Sequence, residues 1–118
     1  MNEEDRKKIE KIVKDRNESD KKLKALGSKV YNAFLNLEKQ TYLDGNLKKY
    51  YKELIAIGIS IIINCESCSE WHIKEALKSG ASAEQILEAI EVAIEMGGGP
   101  ATVSSRFALK VLEYYSSK

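Results

Sequence analysis

The run Leu54 to Ile63, LIAIGISIII, limits the fold more than any other part of the chain. A segment this apolar has to be covered by the rest of the molecule. Ile55, Ile57, Ile59, Ile61 and Ile63 alternate, which taken alone reads as a strand. Tyr50, Tyr51, Leu54, Ile55, Gly58, Ile61 and Ile62 fit one helical face equally well. A strand needs partners, and the sequence offers no second convincing one. The segment Leu47 to Ile63 is therefore expected to be a helix buried nearly all round, with Gly58 and Ser60 permitting close packing. The run is too short to span a bilayer.

The remaining segments read as helices too. Residues 1–27 are dense in charge, with a sparse apolar stripe at Ile9, Ile12, Val13, Leu23 and Leu26. One or two solvated helices ending near Gly27 are expected, serving as a packed helix or as a partner-binding arm. Ser28 is a candidate N-cap for a helix whose stripe is Val30, Tyr31, Phe34, Leu35, Leu37 and Tyr42, an interface or core face. Asp44-Gly45-Asn46 signals a turn, and Asn64 a break that could cap the next helix. A helix to about Ser79 stops at Gly80. Ser82-Ala83-Glu84-Gln85 forms a capping box ahead of the stripe Ile86, Leu87, Ile90, Ala93 and Ile94. Gly97-Gly98-Gly99 ends that helix and Pro100 suits the start of the last one, whose face carries Phe107, Ala108, Val111, Leu112 and Tyr115. The triple glycine lacks the Gly-Lys-Ser/Thr ending of a phosphate loop and follows no strand. The expected fold is an all-α bundle of about five or six helices.

Both cysteines and the only histidine fall in Cys65-Glu66-Ser67-Cys68-Ser69-Glu70-Trp71-His72. On a helix, positions i, i+3 and i+7 share one face. Two thiols three residues apart at a helix start can close a disulfide, and the helix N-terminus stabilises a thiolate there. His72, one turn beyond Cys68, could exchange a proton with it. Glu53 lies twelve residues before Cys65; by spacing alone it is as readily a solvated helix residue as a functional one. Three other uses of these residues are open. Cys65, Cys68 and His72 could be three zinc ligands with Glu53 as an uncommon fourth. The cysteines could be small buried residues, or a redox sensor without catalysis. A c-type haem site is excluded, because histidine would have to follow Cys68 directly.

The pattern Glu53-x11-Cys65-x2-Cys68-x3-His72 resembles the signature of the AhpD-like alkylhydroperoxidases, within the carboxymuconolactone decarboxylase family. Ser79-Gly80-Ala81 and Met96-Gly97-Gly98-Gly99-Pro100-Ala101 also look like that family, so the resemblance covers roughly Val30 to Tyr115. It implies an AhpD-like helical domain over 28–118 behind a charged N-terminal segment, 1–27. It implies a thiol-dependent peroxidase or disulfide reductase, with Cys68 attacking, Cys65 resolving, and His72 and Glu53 relaying protons. Some AhpD-like sequences place a second histidine just before the second cysteine; this chain has Ser67. That departure leaves thiol–disulfide exchange intact and weakens the case for a full peroxidase rate. Full-length AhpD enzymes carry two related halves and this chain carries one. Decarboxylase chemistry, which does not depend on a CxxC pair, is the alternative that the family offers.

Composition agrees with one domain of 118 residues, in which 43% hydrophobic content supports a small core that oligomerisation would help. A net charge of +1 argues against nucleic-acid and polybasic membrane partners. Two cysteines make no disulfide framework, and their spacing reads as redox or metal chemistry in a reducing compartment. The charged start does not read as a signal peptide, so a cytoplasmic location is expected. The expected partners are a peroxide or small disulfide substrate and a dithiol donor, lipoyl or thioredoxin-like, the donor being implied by the resemblance only. A homo-oligomer, hexamer or trimer, is expected, with no cofactor and no metal.

Overall fold

The computed structural model describes residues 1–117. It is built from α1 (Glu3–Ala25), α2 (Lys29–Thr41), α3 (Lys49–Ile62), α4 (Glu66–Lys78), α5 (Ala83–Gly97) and α6 (Gly99–Ser116), with no strand among the described residues. None of these helices is long and apolar enough to cross a membrane.

Local sequence sets most helix ends. The Asn2 side chain caps α1 by accepting from Asp5 N–H, and Ser28 caps α2 by accepting from Tyr31 N–H. Ser82 and Gln85 form the reciprocal capping box of α5. Gly98, at φ 67°, joins α5 to α6, where only glycine turns the chain without strain, and Pro100 lies in the first turn of α6.

α3 is the central helix. Its inward face presents Glu53, Ala56, Ile57, Ser60 and Ile61. Ile57 and Ile61 pack with Ile73 and Ala76 of α4, Ile86 and Ile90 of α5, and Ala108 and Val111 of α6 in one apolar cluster. α1 joins this cluster through Ile9, which is fully buried.

The helix assignment for the isoleucine run holds, but α3 is not buried all round. Ile55, Ile59 and Ile62 are 53%, 55% and 49% exposed. They border an open groove of about 730 Å³ shared with Ala89, Val92 and Met96 of α5. Bundle packing covers one side of a helix: Ile57 and Ile61 meet Ile86 and Ile90 of α5, while Ile55, Ile59 and Ile62 lie outside that contact. α2 is likewise uncovered: its stripe, expected as an interface or core face, forms no core within one chain. None of its residues is fully buried, and Val30 is 83% exposed. On α6 the core takes Tyr114, whereas Leu112 and Tyr115 are only partly buried.

Candidate active site

The cysteine pair lies where α3 turns into α4. Asn64 adopts φ 55°, a conformation that asparagine tolerates better than most residues, and its Oδ1 accepts from Ser104 Oγ of α6 at 3.0 Å. Cys65 N–H donates back to the Ser60 carbonyl at 2.9 Å. The cap of α4 is Cys65 itself, not Asn64: its Sγ accepts from Cys68 N–H at 3.2 Å. Cys65 and Cys68 are joined as a disulfide with their Cα atoms 5.2 Å apart. Both are half-buried.

Glu53 is not a solvated helix residue. It is 1% exposed, and both carboxylate oxygens are used. Oε1 lies 2.7 Å from His72 Nδ1, and Oε2 accepts from Lys49 Nζ at 2.8 Å. A carboxylate can only accept, so Nδ1 carries its proton toward Glu53, which leaves Nε2 as the free acceptor of the neutral ring. His72 sits one turn after Cys68 on α4. The Tyr42 ring lies against His72, with centroids 5.3 Å apart.

Lys49 precedes Glu53 by one turn of α3. It also donates to Glu75 Oε1 and Ser79 Oγ, both at 3.2 Å. Burial lowers its ammonium pKa, but its bonds and charge contacts with Glu53 and Glu75 outweigh that, and the net shift is upward. The Tyr42 phenol is pushed up by burial first and by the Glu53 charge second. A recess of about 410 Å³ opens over Glu53, bordered by Leu35, Tyr42, Lys49, Trp71 and Glu75.

The four residues singled out from sequence thus fall on two adjoining pieces, Glu53–His72 and Cys65–Cys68, linked through one turn of α4. Sequence reasoning did not connect Lys49 or Tyr42 to the site, nor find the pair Arg16–Glu70 that lies beside the cysteine turn. The i, i+4 spacing of Lys49 and Glu53 was a readable signal. Arg16 and Glu70 carried none, because their contact spans 54 residues. No group of three or more candidate metal ligands occurs among the described residues.

The sequence profile of the carboxymuconolactone decarboxylase family matches residues 28–111. Uncharacterized protein 4 in cox locus of Paracoccus denitrificans is 44% identical over 87 residues, 74% of this chain and 78% of that protein. The alkyl hydroperoxide reductase AhpD of Corynebacterium kroppenstedtii is 29% identical over 73 residues, 62% of this chain but 42% of that protein. The crystal structure of apo-lpg0406, a carboxymuconolactone decarboxylase family protein from Legionella pneumophila, superposes with a TM-score of 0.87 at 31% identity. That likeness covers 92% of this chain and 97% of the other. Matched in sequence over most of its length and in all-helical fold, the chain belongs to the carboxymuconolactone decarboxylase family.

Proposed function

We propose that this protein is a thiol-dependent redox enzyme that cycles Cys65 and Cys68 between dithiol and disulfide. The observation that carries this reading is a bonded cysteine pair at a helix start with a carboxylate-anchored histidine one turn beyond it. In the reaction, the Cys68 thiolate attacks the terminal oxygen of a hydroperoxide. The O–O bond breaks, Cys68 becomes a sulfenic acid, and the leaving alkoxide takes a proton from His72 and departs as an alcohol. The Cys65 thiol then attacks the Cys68 sulfur, the disulfide forms and water leaves. A dithiol donor, lipoyl or thioredoxin-like, restores the pair and is itself oxidised to a disulfide. With a small disulfide as oxidant the same pair exchanges directly, releasing two thiols.

Glu53 holds the His72 tautomer, and Lys49 holds Glu53. The site needs no bound cofactor for this chemistry, and a cytoplasmic setting suits a pair that must be reduced every cycle. The exposed groove between α3 and α5 supports assembly as a homo-oligomer, a hexamer or a trimer.

The test is thiol counting. Reduced protein is incubated with cumene hydroperoxide or oxidised lipoamide and its free thiols are titrated. Loss of two thiols per chain with either oxidant is expected. Retention of both, with one zinc bound per chain after incubation with the metal, would replace this reading with a metal site.

A further inference from the structure

The charged first helix reaches the cysteine turn. Arg16 of α1 donates from Nη2 to the Ser67 carbonyl at 2.8 Å and to Ser67 Oγ at 2.9 Å. Its Nη1 donates to Glu70 Oε1 at 2.6 Å. Ser67 is the residue between the two cysteines that directly precedes Cys68, and Glu70 is fully buried. The second Glu70 oxygen accepts from the Tyr115 hydroxyl of α6. Trp71 lies beneath the guanidinium, whose carbon is 5.3 Å from the ring centroid. Two turns earlier on α1, Ile9 is fully buried, and Lys8 pairs with Glu66, also between the cysteines, at 2.9 Å.

We propose that Arg16 is a positioning residue for the cysteine pair: its fork ties the Ser67 backbone to the buried Glu70–Tyr115 pair and holds Cys65 and Cys68 at bonding distance in both redox states. The physical case rests on what the fork does that a simple ion pair does not. Removing water from Glu70 requires partners for both oxygens, and Arg16 and Tyr115 supply them. That requirement accounts for one face of the guanidinium. The other face is spent on Ser67, whose carbonyl and hydroxyl are at the helix edge and could be satisfied by water. The two Ser67 bonds therefore add little to the solvation of Glu70. Their effect is to fix the residue of the Cys65–Cys68 turn that directly precedes Cys68. When the disulfide is reduced the covalent restraint is gone, and a turn held from outside keeps the two sulfurs at high effective concentration. The disulfide is then favoured relative to a turn free to relax.

This inference rests on the redox reading above, and the experiment separates the two. The exchange is protein dithiol plus oxidised glutathione going to protein disulfide plus two reduced glutathiones. Its equilibrium constant is measured across glutathione ratios for wild type, Arg16→Lys and Ile9→Val, together with each melting temperature. Lysine keeps a charge for Glu70 but presents no fork, so it cannot serve Glu70 and Ser67 in the same geometry. The expected result is that Arg16→Lys melts near wild type while its exchange constant falls about tenfold, the size of one charge-assisted contact, equal to about 30 mV for a two-electron couple. Ile9→Val loosens α1 without touching the fork, and should lower the melting temperature while leaving the exchange constant within about twofold. Exchange in wild type with an unchanged constant in Arg16→Lys would overturn the inference and leave the redox reading standing. A constant lowered equally in Ile9→Val would overturn it too, by assigning the effect to helix docking. Absence of exchange in wild type would overturn both.

Discussion

His72 Nδ1 and Glu53 Oε1 lie 2.7 Å apart, joining the helix that carries the cysteines to the helix at the centre of the core. The two residues are 19 positions apart, and Glu53 reaches His72 only because α3 turns its carboxylate inward among isoleucines. A carboxylate in such a place has to be fully bonded, and Lys49 supplies the second contact.

Replacing the carboxylate by its amide tests that anchor. Glu53→Gln keeps the volume but removes the charge that fixes the Nδ1–H tautomer and stabilises the ring when it is protonated. Thiol oxidation by hydroperoxide is expected to slow by about 10- to 100-fold, as for other groups that orient a histidine. The fold, followed by circular dichroism, should persist. A wild-type rate in stopped-flow thiol titration would remove Glu53 from the relay.

Alkaline pH should destabilise the protein, and the sign follows from three groups. Burial, and then the hydrogen bond to Glu70, push the Tyr115 phenol above its ordinary value of 10.0. Tyr42 shifts the same way, through burial first. Lys49, lowered by burial but raised more by Glu53 and Glu75, ends above 10.5. In each case the folded state holds its proton more tightly than the unfolded chain. The stability these groups contribute is complete below about pH 10 and is lost as pH rises through the folded values. Melting temperatures measured between about pH 8 and 11.5 should fall at the alkaline end. Tyr115→Phe should flatten part of that fall, and an identical slope in the variant would contradict the assignment.

Two glycines that both lie within helices, Gly97 of α5 and Gly58 of α3, should respond in opposite ways. A Cβ on Gly97 would stand 2.6 Å from Ile62 Cδ1 and 2.7 Å from Ala101 Cβ. The isoleucine methyl can swing toward the open groove, but Ala101 is 3% exposed and fixed by its backbone. Gly97→Ala should therefore cost about 1–3 kcal/mol in denaturant unfolding. At Gly58 the nearest atom is the Ala89 carbonyl oxygen at 3.7 Å, an ordinary contact. Gly58→Ala should be neutral or stabilise by up to about 1 kcal/mol, because alanine is the better helix former.

That contrast marks how far the sequence could be read. The helix at Leu54–Ile63 was legible because no partner strand existed for it, and the ends at Ser28, Ser82 and Gly98 because capping chemistry is local. The cysteine–histidine spacing was legible because its chemistry lies within two turns of one helix. The solvent side of α3 was not, since isoleucines at Ile57 and Ile59 are the same residue type and only the packing of α4, α5 and α6 decides which is covered. Glu53 shows the same limit: its burial depends on α4, and spacing alone left it undecided. Arg16 was invisible because its partners lie 51 and 54 residues away, beyond any periodicity.

The uncovered face of α3 and α5 gives a prediction about assembly. Val92 and Met96 are 63% and 74% exposed beside Ile59. A contiguous apolar groove of this kind is a preferred contact surface. Sedimentation equilibrium at micromolar concentration should give a mass above one chain. Val92→Glu, which places a charge where water would be excluded, should return it to the monomer with its helical content intact. A monomeric wild type would rule out this use of the groove.

The order of the two cysteines is the sharpest test of the proposed mechanism. Two effects oppose each other. Cys65 is the N-cap of α4, and its sulfur already accepts the Cys68 N–H at 3.2 Å, so the helix terminus favours a thiolate there. Cys68 is one turn from His72, whose Nε2 is left free by the Glu53 contact. The helix-end effect is worth about 1 kcal/mol, whereas an imidazolium partner can lower a cysteine pKa by several units. His72 should therefore decide, making Cys68 the attacking thiolate and Cys65 the resolving thiol. Cys65→Ser should consume one equivalent of hydroperoxide and leave a sulfenic acid at Cys68 that dimedone traps, identified by mass spectrometry. Cys68→Ser should consume none, and His72→Ala should slow the first step more than the second. If Cys68→Ser reacts at the wild-type rate while Cys65→Ser is inert, the helix terminus has outweighed the histidine and the two roles are reversed.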